Sequence, residues 1–241
     1  MIDNITENQL LCVKGKKFMG EYYKWVNPDK KEYICPACFD YGSKHGETMH
    51  KDSTPLLALH TLLSNEWKNC HIIWLGDEVD KPLDTNNYVL KLLDKHSIDF
   101  GYPHDVFDTI CESYKNVSAL FKEAEEDSKN EIDAYIYDIK NGIDAVNEYD
   151  IDINNPYDGL FLKTGRRYKY VINHTKKVYY SLEETDTVWN DGKKTTEVDP
   201  LPELLGFGRM LDLGDWVGDV IGVSDDKPDG YKLIDKIMLD I

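Results

Sequence analysis

The sequence predicts an α+β fold made of two related hairpin–helix–strand units with a helical segment between them. Two hairpin patterns share nearly the same sequence, and each is followed by a short apolar helix pattern and then by a Trp-x-Gly-Asp string. Because the three patterns recur in the same order, we expect an internal duplication. The expected boundaries are 1–125 for the first unit with a C-terminal helix, 126–160 for a helix and acidic linker, and 161–241 for a second, shorter unit.

The two hairpin patterns occupy residues 22–34 and 168–180, where bulky and polar residues alternate around a central bend. The bend is Asn27-Pro28-Asp29 in the first pattern and Asn173-His174-Thr175 in the second. Asn, Pro and Asp favour turns, because Pro fixes φ and the Asn and Asp side chains bond to nearby backbone groups. Each bend is followed by two lysines, which are Lys30 and Lys31 in the first pattern and Lys176 and Lys177 in the second.

A helix pattern and a tryptophan string follow each hairpin. Residues 53–63, STPLLALHTLL, predict a Ser/Thr-capped helix that starts with Pro, and residues 199–210, DPLPELLGFGRM, repeat the Pro start and the leucine pair. The strings WLGDEV at 74–79 and WVGDVI at 216–221 then complete the apparent match.

The segment between the units has helical periodicity with an acidic interruption. One helical face is predicted from Val106, Ile110, Val117, Leu120 and Phe121, and a second from Ile132, Tyr135, Ile136 and Ile139. The acidic run Glu125–Glu131 predicts a solvated break between these two helices, and Gly142 marks the expected end of the second. Within the second unit, Asn190-Asp191-Gly192 predicts a tight turn.

These motifs resemble those of an uncharacterised family of small bacterial proteins. The family has a Y-x-x-V-N-x-T-K-K-E-Y hairpin, a leucine-rich helix, a glycine-rich loop and W-A-G-D. The second unit is similar to the loop in GFGRMLDLGDWVGD, through Gly206, Gly208, Arg209, Gly214, Asp215, Trp216, Gly218 and Asp219. The first unit has SNEWKNCHIIWLGD at the corresponding place, without the glycines. The resemblance implies an architecture and no activity.

The charge of the chain restricts the classes of function. The net charge is −17 and the sequence pI is about 4.7, so we expect no direct binding to nucleic acid, whose phosphates would be repelled. No apolar run is long enough to predict a membrane span, and the polar N-terminal residues predict no signal peptide. Five cysteines without an export signal predict reduced thiols and a cytoplasmic location.

The candidate binding residues come from the tryptophan strings and the loop before the second one. Trp74 and Trp216 could stack on a planar ligand or a partner, and Asp77 and Asp219 could bind a cation or a ligand hydroxyl. The bland alternative is that both tryptophans pack in the core. In the loop, Arg209 and Asp215 are the candidates for a nucleotide site, although the loop matches neither a P-loop nor G-x-G-x-x-G after a strand.

A metal site is a weaker candidate. Cys35 and Cys38 have the C-x-x-C spacing of zinc ligands, with His45 and His50 downstream, but four ligands so close together would make a cramped loop. The second unit has no matching cysteine, so the shared fold cannot depend on a metal there. We therefore predict no metal and no cofactor. A redox role for C-x-x-C is expected in a thioredoxin-like βαβ context, which the sequence does not predict.

The function that these observations favour is a non-catalytic acidic protein that binds a basic partner and inhibits it, as an immunity protein or a phage-encoded inhibitor does. The charge, the absence of a strong catalytic motif and 16 tyrosines support this expectation. The alternative is a small-molecule or nucleotide-binding protein, with or without hydrolytic activity, that uses the loop 206–219. A third class, a structural module that self-associates, stays open.

Overall fold

The computed structural model describes residues 20–79, 88–93, 105–208 and 213–239, and within them both helices and mixed sheets confirm the α+β class. The described strands are β1 (Tyr23–Asn27), β2 (Glu32–Ile34), β3 (Cys70–His71), β4 (Ile73–Gly76), β5 (Lys115–Asn116), β6 (Tyr170–Asn173), β7 (Val178–Tyr180), β8 (Asp186–Trp189), β9 (Lys194–Thr195), β10 (Gly206–Phe207), β11 (Val220–Ser224), β12 (Lys232–Leu233) and β13 (Lys236–Leu239). The described helices are α1 (His45–Thr48), α2 (Thr54–Ser64), α3 (Tyr88–Leu92), α4 (Asp105–Ser113), α5 (Glu125–Lys140) and α6 (Leu201–Leu205). Short 3-10 turns lie at Pro36–Phe39, Ser118–Leu120 and Lys122–Ala124. In these ranges no helix has the length and apolarity that crossing a bilayer requires.

The strands form two five-stranded sheets and one three-stranded sheet. Their orders are β10-β4-β1-β2-β5, β12-β7-β6-β11-β3 and β13-β8-β9. In each large sheet an antiparallel hairpin is flanked by a third antiparallel strand on one side and by a parallel two-residue strand on the other.

Both predicted hairpins are present, and they have the same register. Trp25 pairs with Ile34 in the first hairpin, and Val171 pairs with Tyr180 in the second, so the paired positions match along both strands. The turns are also built alike. The backbone N–H of Lys30 donates to Asn27 Oδ1 at 3.0 Å, and that of Lys176 donates to Asn173 Oδ1 at 2.8 Å.

The expected match between the two Trp-x-Gly-Asp strings is wrong, because the strings occupy different structural positions. Trp74 lies inside strand β4, whereas Trp216 lies in the turn before strand β11. The register places Trp67 where the second sheet has Trp216. The two turns have the same hydrogen bond, since the N–H of Cys70 donates to the carbonyl of Trp67 and that of Asp219 donates to the carbonyl of Trp216. The residue before each donor has a positive φ, which is 60° at Asn69 and 70° at Gly218.

The segments after these two turns pair with each other. His71 pairs with Val220 and Cys70 with Ile221, and the N–H of Ile72 donates to the carbonyl of Asp219 at 3.2 Å. When Trp67 is matched to Trp216, Cys70, His71 and Ile72 correspond to Asp219, Val220 and Ile221. A two-fold rotation therefore maps the pair of His71 and Val220 onto itself and converts the other two pairs into each other. Helix α2 packs on β11 of the other sheet, while α6 and β10 pack on β4, so each half covers the other.

The two helices that follow the hairpins differ from the predicted form. Helix α2 begins after Ser53 with Pro55 in its first turn, but the Ser53 hydroxyl donates to the carbonyl of Thr48 at 3.1 Å and makes no cap bond. Helix α6 has only five residues, and the chain continues directly into β10. Its start is fixed by the Asp199 carboxylate, which accepts a hydrogen bond from the N–H of Leu201 at 3.0 Å.

The predicted break in the central helical segment is at the wrong place. The run 125–131 is helical and begins α5, whereas strand β5 and two 3-10 turns occupy the residues before it. Three acidic residues in the first turn of α5 favour the helix N-terminus, and Lys129 pairs with Glu125 four residues earlier. Helix α5 ends at Lys140, and Gly142 follows with φ of 71°. The expected boundary at 125/126 therefore falls inside the first turn of this helix.

The main core joins the two large sheets. It contains Trp25 and Trp74 from the first sheet, Tyr180 and Ile221 from the second, and the turn residues Trp67 and Trp216. Helix α2 contributes Leu59 and Leu62 to the same cluster. A smaller cluster packs Ile132 and Ile136 of α5 against Tyr149. The hydrophobic core thus runs across the expected unit boundaries.

Candidate functional site

The two candidate tryptophans are packed in the protein interior. Trp74 is fully buried, with its ring centroid 5.3 Å from Tyr23 and 4.2 Å from Trp25, and its indole N–H donates to His45 Nδ1 at 3.2 Å. Trp216 is 2 % exposed, and its ring centroid lies 5.8 Å from that of Tyr180. Both rings are covered by core residues, as the packing alternative expects, and stacking on a partner would require the core to open.

The candidate aspartates lie in three different settings. Asp77 Oδ1 accepts the backbone N–H of Tyr22 at 2.9 Å, and burial, with a contribution from Glu21, raises the pKa of Asp77 above its usual value. The buried Asp219 accepts from Asn173 Nδ2 at 2.7 Å and from Lys176 Nζ at 3.0 Å. Asp215 is exposed. Asp77 and Asp219 therefore serve turn and sheet contacts in this fold.

The glycine-rich loop is described only at its two ends, and Arg209 lies outside the described residues. A Cβ at Gly208 would lie 2.7 Å from a Glu21 carboxylate oxygen and 2.5 Å from Tyr23 Oη, so a larger residue there would displace these two buried side chains. Gly214 is needed because a Cβ would lie 2.5 Å from the carbonyl oxygen of Leu204. Both glycines are explained by close packing, and the carboxylate beside Gly208 would repel a phosphate.

The four zinc candidates do not converge. His45 Nε2 lies 2.8 Å from Glu203 Oε2, and the ring of His50 accepts the N–H of Asp52 at 3.3 Å, so each imidazole has its own partner. Cys35 directly precedes the 3-10 turn Pro36–Phe39 and Cys38 lies within it, where the N–H of Cys38 donates to the carbonyl of Cys35 at 3.2 Å. Among the described residues, no group of three His, Cys, Asp or Glu side chains is placed to hold a metal ion.

Cys35 instead belongs to a cluster of thiols around a lysine. Lys24 Nζ donates to Cys111 Sγ at 2.9 Å and lies 4.6 Å from the ring centroid of Tyr33. Burial acts to lower the pKa of Lys24, but the neighbouring charges of Cys35 and Cys111 raise it above its ordinary value. The pKa of the Cys35 thiol is lowered, chiefly because Cys38 donates a hydrogen bond to its sulfur, and also by the Lys24 charge.

Cys38 has the opposite environment. It is 1 % exposed, and its pKa is raised well above the ordinary value by its hydrogen bond to Cys35 and by burial. Its sulfur lies 3.5 Å from Glu131 Oε2 and 3.4 Å from the hydroxyl of Tyr149, which also donates to Glu131. The pKa values of the two cysteines are thus shifted in opposite directions, and Cys35 is more accessible than Cys38.

A cavity of about 400 Å³ lies between α5 and the first hairpin, beside this cluster. Cys35 lines it and Cys38 does not, and the charged side chains of its lining are Lys24, Glu131, Asp138 and Glu148. The lining therefore has one cation and three carboxylates, so it favours a neutral or positively charged occupant.

The densest negative charge is on helix α5 and the segment that follows it, residues 125–162, which we call the acidic face. Residues 125–158 contain eleven Asp and Glu and two Lys, which is a formal charge of −9 within the −17 of the whole chain. Segment 141–162 folds back along α5, where the hydroxyl of Tyr157 donates to Asp133 and raises its own pKa to about 12. More than half of the net charge is thereby confined to one part of the molecule.

The acidic face also exposes apolar side chains. Nine large hydrophobic side chains are exposed among the described residues, and five of them lie between 137 and 162. They are Tyr137 at 65 %, Ile143 at 50 %, Val146 at 50 %, Tyr157 at 37 % and Leu162 at 73 % exposed. Aromatic and aliphatic side chains surrounded by charge are typical of interfaces, since they supply contact area where the charge provides orientation.

The acidic face and the Lys24 cluster are the features that sequence reasoning missed. The acidic run at 125–131 was visible, but its interpretation as a solvated break concealed that it continues into a helix facing a second acidic segment. The cluster had no sequence signal beyond C-x-x-C, because Lys24 and Glu131 reach Cys35 and Cys38 only through the fold.

A scan of protein-family models, a search of curated proteins and a search of solved structures find no match to this chain.

Proposed function

We propose that this protein binds a basic partner protein through the acidic face and inhibits it, in the manner of an immunity protein or a phage-encoded inhibitor. The observation that carries the proposal is the coincidence of two properties at residues 125–162: a charge of −9 in residues 125–158 and five of the nine exposed large hydrophobic side chains. Charge alone would serve solubility, but exposed tyrosine and leucine within it supply contact area for a partner.

The mode of binding follows from the same residues. Carboxylates around Tyr137 and Tyr157 would attract a basic surface from a distance and accelerate encounter. Rings and aliphatic side chains would then lose water against the partner and set the residence time. A partner whose basic cleft holds an anionic substrate would be blocked by a face that presents carboxylates in place of that substrate.

The nucleotide alternative at loop 206–219 gains less support. Glu21 lies against Gly208, where a phosphate would need an electropositive surface, and Lys176 is already paired with Asp219. These carboxylates favour a basic partner over an anionic ligand at this end of the molecule too.

The experiment compares two double variants, each of which replaces two exposed hydrophobic side chains by serine. Tyr137→Ser/Leu162→Ser alters the acidic face, and Leu213→Ser/Met238→Ser alters exposed hydrophobic side chains elsewhere, which are each 50 % exposed. Each immobilised protein is incubated with cell lysate at matched ionic strength, and retained proteins are quantified by mass spectrometry. We expect a basic protein that the wild type and the control retain and the face variant retains at least about tenfold less, since interface anchors often contribute more than 1 kcal/mol each.

Inhibition is tested on the retained protein after purification. A stoichiometric addition of the wild type should abolish its activity, and the face variant should require a higher concentration for the same effect. Equal retention by all three proteins would contradict the proposal, because contact through residues 137–162 would then contribute nothing.

A further inference from the structure

We propose that Cys35 and Cys38 form a redox-active dithiol that reduces a small or peptidyl disulfide bearing positive charge, with Cys35 as the nucleophile and Cys38 as the resolving thiol. The proposal rests on the different access of the two thiols, the cation beside Cys35, the carboxylate beside Cys38 and the cavity that Cys35 lines. The cavity shares Glu131, Asp138 and Glu148 with the acidic face, but the thiol chemistry does not require a partner protein to be bound there.

The surroundings of Cys35 are those that nucleophilic thiols require. The thiolate is the attacking species, and a cation or hydrogen-bond donors nearby stabilise it. Here the Lys24 ammonium, the Cys38 thiol and the backbone N–H of Ala37 all act on the Cys35 sulfur. Cys35 is half-buried and lines the cavity, so a substrate entering the cavity can reach it.

Cys38 is placed to act second. It is buried, the Cys35 sulfur and burial favour its protonated form, and Glu131 Oε2 lies 3.5 Å from its sulfur, where it can accept the proton. Once Cys35 is bonded to substrate, its sulfur no longer carries the negative charge that held this proton. The proton can then pass to Glu131, which frees the Cys38 thiolate.

The lysine position also argues against a metal at these thiols. The Lys24 ammonium donates to Cys111 Sγ at 2.9 Å and lines the cavity with Cys35, so a positive charge already lies at these thiols and would repel a metal cation. A thioredoxin-like βαβ unit is not required for thiol chemistry, since a charged partner, a resolving thiol and an access route are all present around this hairpin.

The reaction balances as a thiol–disulfide exchange. The Cys35 thiolate attacks one sulfur of the disulfide R–S–S–R, forms a Cys35–S–S–R bond and releases R–S⁻, which takes a proton from water. The Cys38 thiolate then attacks the Cys35 sulfur, forms the Cys35–Cys38 disulfide and releases the second R–S⁻, which is protonated in turn. Two electrons pass from the protein dithiol to the substrate, which leaves as two thiols.

The charge of the cavity predicts which disulfide reacts. Its lining carries Lys24 against Glu131, Asp138 and Glu148, so a cationic disulfide is concentrated there and an anionic one is excluded. We expect the reduced protein to be oxidised by cystamine faster than by oxidised glutathione, by on the order of tenfold at low ionic strength after correction for the intrinsic reactivity of each disulfide.

The test uses the reduced full-length chain and these two disulfides as probes. Residues 32–44 form one tryptic peptide with both cysteines, so oxidation is read as the loss of two hydrogens from its mass. In Cys38→Ser the same peptide should instead gain one cysteamine and keep it, because no resolving thiol remains. Cys70→Ser keeps both cysteines of the motif and every member of the Lys24 cluster, so it should still form the disulfide. Far-ultraviolet circular dichroism verifies that each variant is folded.

A second measurement needs no variant. Brief alkylation of the wild type with iodoacetamide near neutral pH should modify Cys35 before Cys38 and Cys70. The proposal is overturned if Cys38→Ser holds no cysteamine on this peptide, or if Cys35 is alkylated no faster than Cys70. Equal rates with both probes would overturn the preference for a cationic substrate and leave a disulfide reductase without charge selection.

Discussion

At the scale of single residues, His60 is a buried imidazole whose protonated form is disfavoured, because the nearby Asp199 carboxylate is already paired with Arg167. It is fully buried on α2, and its Nδ1 accepts the backbone N–H of Tyr168 at 3.3 Å. Asp199 lies 3.9 Å from its Nε2 but is already paired with Arg167 at 2.6 Å and accepts from the hydroxyl of Tyr180. Burial therefore lowers the pKa of His60 to about 4.

The low pKa of His60 predicts that the protein becomes less stable as the pH falls. His60 is neutral in the folded protein, whereas in the unfolded chain it binds a proton as pH falls below 6.5. The contribution of the neutral His60 imidazole to stability is fully present above pH 6.5 and is lost as pH falls towards 4. The free energy of unfolding should fall by about 2 kcal/mol between about pH 7 and about pH 5. Urea unfolding at the two pH values measures the loss, and His60→Gln should reduce it.

The matched control is His50→Gln, which replaces an exposed imidazole. It should keep the pH dependence of the wild type, although carboxylates contribute to that dependence in all three proteins. If His60→Gln and His50→Gln have the same pH dependence as the wild type, the buried imidazole is not the cause.

At the scale of elements, the two hairpins have the same turn hydrogen bond, but their turn asparagines differ in the side chains to which they donate. Both asparagine side chains are fully buried and accept the backbone N–H three residues later. Asn173 also donates to the buried carboxylate of Asp219, at the position where the first sheet has Cys70. The second hairpin thus depends on its asparagine for a charged partner as well as for the turn.

The hairpins therefore predict unequal costs for one substitution. Asn27→Ala should destabilise the protein by about 1 kcal/mol, because one turn hydrogen bond is lost. Asn173→Ala should cost about 3 kcal/mol, because the buried Asp219 also loses a donor. Chemical denaturation of the two variants side by side measures the difference. Equal losses, or a larger loss in Asn27→Ala, would show that the Asp219 contact contributes nothing to stability.

The same elements show which parts of the fold the sequence could predict. The hairpins were predictable because their turn residues and alternation are local signals, and Asn27 and Asn173 act within three residues. The tryptophan strings gave a wrong match because their three shared residues, Trp, Gly and Asp, outweighed the single tryptophan that Trp216 shares with its structural counterpart, Trp67. Trp67 and Trp216 are each followed two residues later by a residue with positive φ, which is Asn69 or Gly218. The sequence does not reveal a positive φ at Asn69. The acidic helix was misread because pairing and the helix dipole offset its polarity.

At the scale of the whole molecule, we propose that the two large sheets are diverged copies of one unit. Four strands of each sheet match in order and direction and the hairpin registers agree, whereas the fifth strands differ: β10 is parallel to β4 and β3 is antiparallel to β11. The central pairing of His71 with Val220 is symmetric. The part of the second half that the structure describes contains no helix that corresponds to α5, and the acidic face is made from α5 and segment 141–162. We infer that a repeated scaffold supports an added element that carries the binding function.

The measurement that tests this account most directly is the salt dependence of binding to a fluorescently labelled oligolysine peptide. Two triple variants have the same net charge: Glu126→Gln/Asp144→Asn/Asp158→Asn on the acidic face, and Asp52→Asn/Asp226→Asn/Asp229→Asn elsewhere, all at exposed positions. Fluorescence anisotropy gives the association constant of each protein over a range of salt concentrations.

We expect the association constant of the wild type to fall steeply with salt and that of the distant variant to follow it closely. The variant of the acidic face should bind more weakly at low salt and have a shallower salt dependence. If the two triple variants bind alike, attraction depends on net charge alone and residues 125–162 are not the binding site.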